Sequence, residues 1–309
     1  MVSRYSLIVL LVIILSGCVT APPTPTPAPV IEPTRPPNTP SAVPSAAPGY
    51  VAQIRNAQYQ LGTLDSLQVV QLVDGQYQSG NPGATDFVSV TVTDFVARGD
   101  LNGDGSNEVA ALIAENFGGT GVFVFLVVYA DVNGTLTFQT SVVVDDRPQV
   151  NVLSIENNEI FLDTVIHGVD EPMCCPTLRT TRHYLLDQNN QLNMVDFTTF
   201  TPAGDPRTIT IESPATGSEV FSSVQVKGGV AIAPFENTLA YRIYDVGGVE
   251  LSAGEIDVTA PELGAPGTFD EMIKLGKILS GAVIRIEVQD VSAADGSLLA
   301  MDSVELVVK

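Results

Sequence analysis

Apolar positions along most of this chain recur every second residue, and the segments that carry the pattern are short. Asp86 to Val96 (DFVSVTVTDFV) alternates polar and apolar with many β-branched residues, which predicts a half-buried strand ending near Ala97. Val109 to Ala114 predicts a second, short strand. Val122 to Tyr129 (VFVFLVVY) abandons alternation for an almost unbroken apolar run, so a central strand covered on both faces is expected there. Asn133-Gly134 is a strong hairpin turn, because both residues tolerate positive φ, and Leu136 to Val144 is the returning strand. Further strands are predicted at Val150–Ile155, Ile160–Val165, Thr181–Leu186 and Asn193–Phe200, with turns at Glu156–Asn158 and Asp187–Asn190. Helical periodicity is scarce. Some helix around residues 53 to 68 would make this first domain α+β rather than purely β-rich.

A new pattern opens after Pro202-Ala203-Gly204-Asp205-Pro206, which reads as a hinge. Strands are expected at Val220–Val226, Leu239–Asp245, Leu251–Val258, Val283–Asp290 and Ser303–Val308, with a hairpin turn at Asp245–Gly248. Residues 270 to 281 suit a short helix or an edge strand equally. Regularly spaced short strands over about 100 residues describe a β-sandwich of immunoglobulin-like layout. The core Trp and paired Cys of antibody domains are missing from it. The expected fold class is therefore mainly β: a β-rich domain over 50–204, then an immunoglobulin-like sandwich over 205–309.

The N-terminus predicts the address. Arg4 precedes an apolar run of nine residues, Leu7 to Leu15, which fits a secretory h-region and is too short to span a bilayer. Leu15-Ser16-Gly17-Cys18 follows and resembles a bacterial lipobox, which implies removal of residues 1–17 and acylation of Cys18. The competing reading is an ordinary secretory signal with an incidental cysteine. Several acyl chains on one residue, each worth roughly 0.8 kcal/mol per buried CH2, would anchor the protein stably. The expected location is the cell membrane or outer membrane, with the folded part outside the cytoplasm. Residues 19 to 49 contain 11 of the 21 prolines, so 18–49 is expected to be an extended linker. At roughly 3.1 Å per residue its fully extended reach is about 90 Å.

Charge narrows the partners. Residues 50–309 hold 34 acidic and 12 basic residues, a net charge of −22. No basic run exists, so a nucleic-acid binder is disfavoured, as is adhesion to anionic polymers. The acidity favours cations instead.

The sharpest chemical signal is Asp100-x-Asn102-x-Asp104-Gly105-Ser106-x-Glu108. Short oxygen side chains at alternate positions converge on a hard cation, Gly105 permits the tight turn, Ser106 offers a carbonyl and Glu108 a carboxylate. Ala111 stands where an EF-hand carries its bidentate glutamate, and flanking amphipathic helices are not predicted. The spacing resembles the β-hairpin calcium loops of FG-GAP and integrin-type repeats, which implies a structural calcium ion. The alternative is a metal-free Asx turn.

A second cluster runs His167-Gly168-Val169-Asp170-Glu171-Pro172-Met173-Cys174-Cys175-Pro176-Thr177, with His183 close behind. A vicinal disulfide between Cys174 and Cys175 suits an oxidising compartment. Two reduced, buried thiols, a soft-metal site including His167 and His183, or a Cys–His catalytic pair are the other readings. Asp163, Asp170 and Glu171 are candidates for a carboxylate pair, although acidic residues in such a chain are usually solvated. Serine-hydrolase, zincin, Walker and Rossmann motifs are absent from the sequence.

Two resemblances complete the reading. Gly99 to Gly105, Gly118 to Gly121 and Asp170 to Thr177 resemble segments of a family of bacterial envelope lipoproteins, a likeness that brings no activity with it. Ile211–Pro214, Phe235–Arg242, Gly267–Phe269 and Asp290–Ser297 resemble Gmad2, the immunoglobulin-like module of some spore-germination lipoproteins. That resemblance implies a sandwich with Phe235 and Tyr241 in its core and with Ser292, Asp295 and Ser297 capping a turn. The expected function is non-catalytic: a surface-anchored lipoprotein presenting two domains to an envelope protein or glycan. The alternatives are an extracytoplasmic hydrolase with a site near His167, and a soft-metal or redox sensor using Cys174 and Cys175.

Overall fold

The computed structural model describes residues 48–63, 68–276 and 278–309. The signal segment, Cys18 and the linker as far as residue 47 lie outside the described residues. Helix α1 (Pro48–Ile54) and two short strands, β1 (Gln58–Gln60) and β2 (Val69–Gln71), lead into an antiparallel meander. Its strands are β3 (Gln76–Ser79), β4 (Val88–Gly99), β5 (Glu108–Asn116), β6 (Phe123–Val132) and β7 (Thr135–Asp146).

This five-stranded sheet has a core on each face. Val109, Ala111 and Ile113 of β5, with Phe125, Val127 and Tyr129 of β6, pack under α1, β1 and β2 against Ile54, Tyr59 and Leu72. The alternate residues Ala110, Leu112, Leu126 and Val128 pack the other way, against Leu153, Ile160 and Leu162. Cover on both faces is why the run through β6 has almost no polar residue. The Asn133-Gly134 turn joins β6 to β7 with both residues at positive φ, as a tight hairpin requires.

The second core is closed by β8 (Gln149–Glu156), β9 (Glu159–Ile166), β10 (Leu178–Leu186) and β11 (Leu192–Phe200), which pair in sequence order. The C-terminal part follows with β12 (Pro206–Arg207), β13 (Ile209–Ser213), β14 (Glu219–Val220), β15 (Ser223–Val230), β16 (Thr238–Asp245), β17 (Glu250–Thr259), β18 (Gly267–Lys274), β19 (Val283–Val291) and β20 (Leu298–Val308). It is a two-sheet sandwich. β13, β15 and β18 form one layer, and β16, β19 and β20 the other. β17 pairs with β16 over most of its length and then reaches β18 through Val258 and Thr259. Alternate residues of both layers, among them Val226, Ile243, Ile256, Phe269, Ile286 and Leu306, form the third core.

Two local expectations change, and one open alternative is decided. The helix awaited around 53–68 occupies Pro48–Ile54 instead, because the alternating Gln58-Tyr59-Gln60 pairs with Val69–Gln71 and buries Tyr59. Residues 267–274 are strand, since Phe269 and Ile273 fall on the inner face two turns of the pleat apart. Phe235 is 67% exposed and not a core residue, as it sits in a short 3-10 turn beyond the sheet end, whereas Tyr241 packs against the core. Among the described residues no helix is long and apolar enough to cross a membrane.

Candidate functional site

The Asp100–Glu108 loop connects β4 to β5. Its side-chain oxygens fold back on the loop's own amides. Asp100 accepts from the Gly103 and Gly105 N–H groups at 2.7 and 3.0 Å, Asn102 Oδ1 from Asp104 N–H at 2.9 Å, and Asp104 Oδ1 from Ser106 N–H at 2.6 Å. Gly103 and Gly105 adopt positive φ, which lets the chain turn this tightly. Glu108 is buried, accepts from Leu101 N–H at 2.8 Å, and has Asn102 Nδ2 at 3.5 Å. Burial pushes its carboxyl up, and the charges of Asp104 and Asp100 add to that. Asn158, from the β8–β9 turn, donates to the Asp100 carbonyl at 3.0 Å and ties the loop to the neighbouring hairpin. The side-chain oxygens of Asp100, Asn102 and Asp104 thus serve as Asx-turn acceptors for the loop's own amides, and among the described residues no group of three or more His, Cys, Asp or Glu side chains is placed to hold a metal ion. Each carboxylate oxygen that accepts one N–H retains lone-pair capacity for a cation.

The segment after β9 is organised by Glu171. Its carboxylate accepts from Gly168 and Thr177 N–H groups, each at 2.9 Å, and from the Thr177 hydroxyl, which together hold it below the usual carboxylate range. Cys174 and Cys175, both exposed, are joined in a vicinal disulfide within this loop. The pairing takes both sulfurs out of use as thiolate ligands or nucleophiles. Neither Asp163 nor Asp170 meets His167. The partner is Asp145 of β7, whose Oδ2 accepts from His167 N–H at 2.8 Å and lies 3.3 Å from Nδ1. Asp163 is instead paired with Arg179 at 2.8 Å and accepts from Asn151 at 2.9 Å.

A constellation that the sequence did not single out lies on the other face of β10 and β11. His183 stands opposite Asp196, and Asp196 stands opposite Asp302 of β20, so the three share one row across the sheet. His183 Nδ1 is 2.8 Å from Glu159 Oε2. These residues line a cavity of about 560 Å³ with Thr198 and Glu305. Burial raises the Asp196 carboxyl to about 6; His183 opposes the rise, and the charges of Asp302 and Glu159 add to it. Burial also raises Asp302, although Ile211 N–H donates to it at 2.6 Å. Such a row holds and exchanges protons, and it attracts cationic or hydroxylated groups. The only signal in the sequence was the polar side of an alternating strand, which solvated residues share.

Residues 208–297 match the family model described as the immunoglobulin-like domain of bacterial spore germination. The C-terminal sandwich is a Gmad2 domain. Thr208, Ile209 and Thr210 at the start of the Gmad2 domain form one wall of the polar cavity, and Glu159 and His183 another. The Gmad2 turn between β19 and β20 is capped as expected, with Asp295 Oδ1 accepting from Ser297 N–H at 3.0 Å and from its hydroxyl at 2.8 Å. No curated protein matches the sequence. Among solved structures, a mutant trimeric ectodomain of the C. elegans fusion protein EFF-1 aligns over 72% of this chain and 77% of its own. Identity there is 9% and the TM-score 0.19, too weak a likeness to bear on fold or function.

Proposed function

We propose that this protein is an exported, non-catalytic lipoprotein, held to a bilayer by acylated Cys18, that presents its β-rich domains to an envelope protein or glycan. The observation that carries this reading is the placement of large apolar side chains at both ends of the Gmad2 sandwich. Phe221 and Leu279 are exposed on loops bridged by the Leu275 N–H to Ser222 carbonyl bond. Phe235 and Leu263 are exposed on loops bridged by the Ala233 N–H to Ala265 carbonyl bond. Loops that display paired apolar groups from a rigid sandwich suit recognition. We further propose that the Asp100–Glu108 loop takes up a structural calcium ion, for which Asp100, Asn102, Asp104, the Ser106 carbonyl and Glu108 would supply the oxygens; the support is the spacing of these residues in the sequence. Its role is to neutralise the carboxylates that crowd Glu108.

Mass spectrometry of the membrane-extracted protein tests the anchor: an acylated N-terminal Cys18 is expected, and an unmodified, freely soluble protein would remove the presenting role. Elemental analysis with thermal melts tests the loop. One calcium per chain and a melting temperature lowered by chelator are expected, with chelator sensitivity lost in Asp104→Ala. A second reading, an extracytoplasmic hydrolase, is favoured by the His183–Asp196–Asp302 row rather than by His167. It requires turnover that Asp196→Asn abolishes.

A further inference from the structure

Carboxylates outnumber cations in the cavity beside β10 and β11. Glu159, Asp196, Asp302 and Glu305 line it with His183, and no lysine or arginine does. Arg182, the neighbour of His183 on β10, is turned to the opposite face and is 6% exposed. Arg179, stacked on Phe200, is committed to Asp163 at 2.8 Å. Glu159 engages His183 Nδ1 at 2.8 Å. Two amides serve Asp302: Ile211 N–H donates at 2.6 Å and Ser303 N–H at 2.8 Å. Asp196 stands directly opposite Asp302 and has no hydrogen-bond donor among the described residues. Like charges facing each other across a ladder repel, so this pair lacks a cation.

Thr198, two residues on along the same face of β11, is a second unpartnered group. It is 3% exposed, and its hydroxyl makes no hydrogen bond among the described residues. The polar atoms that are both unpartnered and sealed from water include neither the Thr198 hydroxyl nor the Asp196 carboxylate, so both open on the cavity they line. The His183 and Glu159 side chains are 34% and 35% exposed, which leaves the entrance wet. A cavity of about 560 Å³ holds far more than a bare ion, and Leu185 and Val195 give it an apolar wall. Among the described residues no three ligating side chains are placed to hold a metal ion.

We propose that this cavity binds a small organic ammonium with neighbouring hydroxyl groups, of which an amino sugar is the fitting class. The ammonium sits between the Asp196 and Asp302 carboxylates and donates to both, which relieves their repulsion. A ligand hydroxyl bonds Thr198 Oγ1, which can donate or accept. The carbon frame rests against Leu185 and Val195. The net charge of −22 on the folded part draws cations toward the site. A neutral sugar lacks the charge that Asp196 calls for, and a simple alkylamine leaves Thr198 unpaired. The hydrolase reading would use the same row, but binding requires neither turnover nor the lipid anchor, so a binding measurement judges it apart from both.

Calorimetric titration of the purified full-length protein with D-glucosamine, N-acetyl-D-glucosamine and cyclohexylamine tests the proposal. Saturable glucosamine binding is expected at millimolar concentration or below. N-acetylglucosamine keeps the hydroxyls but not the charge, and should bind about tenfold more weakly or worse. Cyclohexylamine keeps the charge but not the hydroxyls, and should lose about threefold to tenfold. Asp196→Asn should weaken glucosamine by about tenfold or more while a thermal melt shows a folded protein. Thr198→Val keeps the side-chain shape; it should weaken glucosamine by about threefold to tenfold and leave cyclohexylamine unchanged. Should Asp196→Asn fail to fold, the wild-type and Thr198→Val titrations still decide. Absence of saturable glucosamine binding by the wild type, equal binding of N-acetylglucosamine, or unchanged glucosamine affinity in either folded variant would each overturn the assignment.

Discussion

Asp196 has a carboxylate across the ladder on one side and an imidazole on the other, and it is largely withdrawn from water. Its folded pKa of about 6 exceeds the ordinary carboxylate value, so ionisation costs the folded state more than the unfolded one. The penalty is absent below about pH 4 and complete above about pH 6, so this residue's contribution to stability declines as pH rises through that window. Asp196→Asn should therefore stabilise the protein at neutral pH by about 1–3 kcal/mol and flatten the slope between pH 4 and 6. Urea unfolding at a series of pH values reads both effects; an unchanged slope would assign the titration elsewhere. Glu115 shows the opposite solution to burial. It is fully buried and accepts from the Tyr59 and Thr63 hydroxyls, both at 2.5 Å, and from Gly62 N–H at 2.8 Å, which fastens β1 and its loop to the five-stranded sheet. Nothing local in the sequence separates Glu115 or Asp196 from surface carboxylates, because their environments come from strands distant in the chain.

Among the elements, the strands and their turns follow local rules. Asn133-Gly134, Asn157-Asn158 and Gly248 all take positive φ at hairpin corners, where their residue types permit it. Close approach between strands is a different matter. A Cβ at Gly228 of β15 would lie 2.0 Å from the Thr210 carbonyl oxygen of β13 and 2.5 Å from the Phe269 ring of β18. Gly228→Ala should thus destabilise the sandwich by about 2–3 kcal/mol. Gly229→Ala, whose nearest neighbour is the Gly267 carbonyl at an ordinary 3.4 Å, should cost under about 1 kcal/mol. Denaturant midpoints of the two variants provide the comparison, and equal losses would mean that backbone freedom rather than crowding dictates glycine at 228.

For the molecule as a whole, the seam between β11 and β20 matters most. Asp196, Phe197 and Thr198 pair with Asp302, Met301 and Ala300, so the last strand of the chain is laddered to a strand that precedes the hinge. The Ser303 hydroxyl donates to the Val195 carbonyl at 3.0 Å, and the Thr199 hydroxyl to Leu299 at 2.7 Å. Strands on both sides of residues 201–205 therefore share one hydrogen-bonded path. Separating them would expose ladder groups and the cavity-facing carboxylates together. Scanning calorimetry should show one cooperative transition with matching calorimetric and van't Hoff enthalpies. Two resolved transitions would show that the seam contributes little.

Local pattern by itself determined most of the longer strands, the tight turns, the doubly covered β6 and the acidic balance. Each depends on pleat period, turn chemistry or spacing within a dozen residues. Tertiary structure alone decided which strands meet across the hinge, which carboxylates lose water, and that Arg182 and His183, adjacent in sequence, face different cavities with different neighbours. Alternation says that two consecutive side chains point apart. It cannot say what either one meets, because burial and charge at each face are supplied by strands as far away as Asp145 and Asp302.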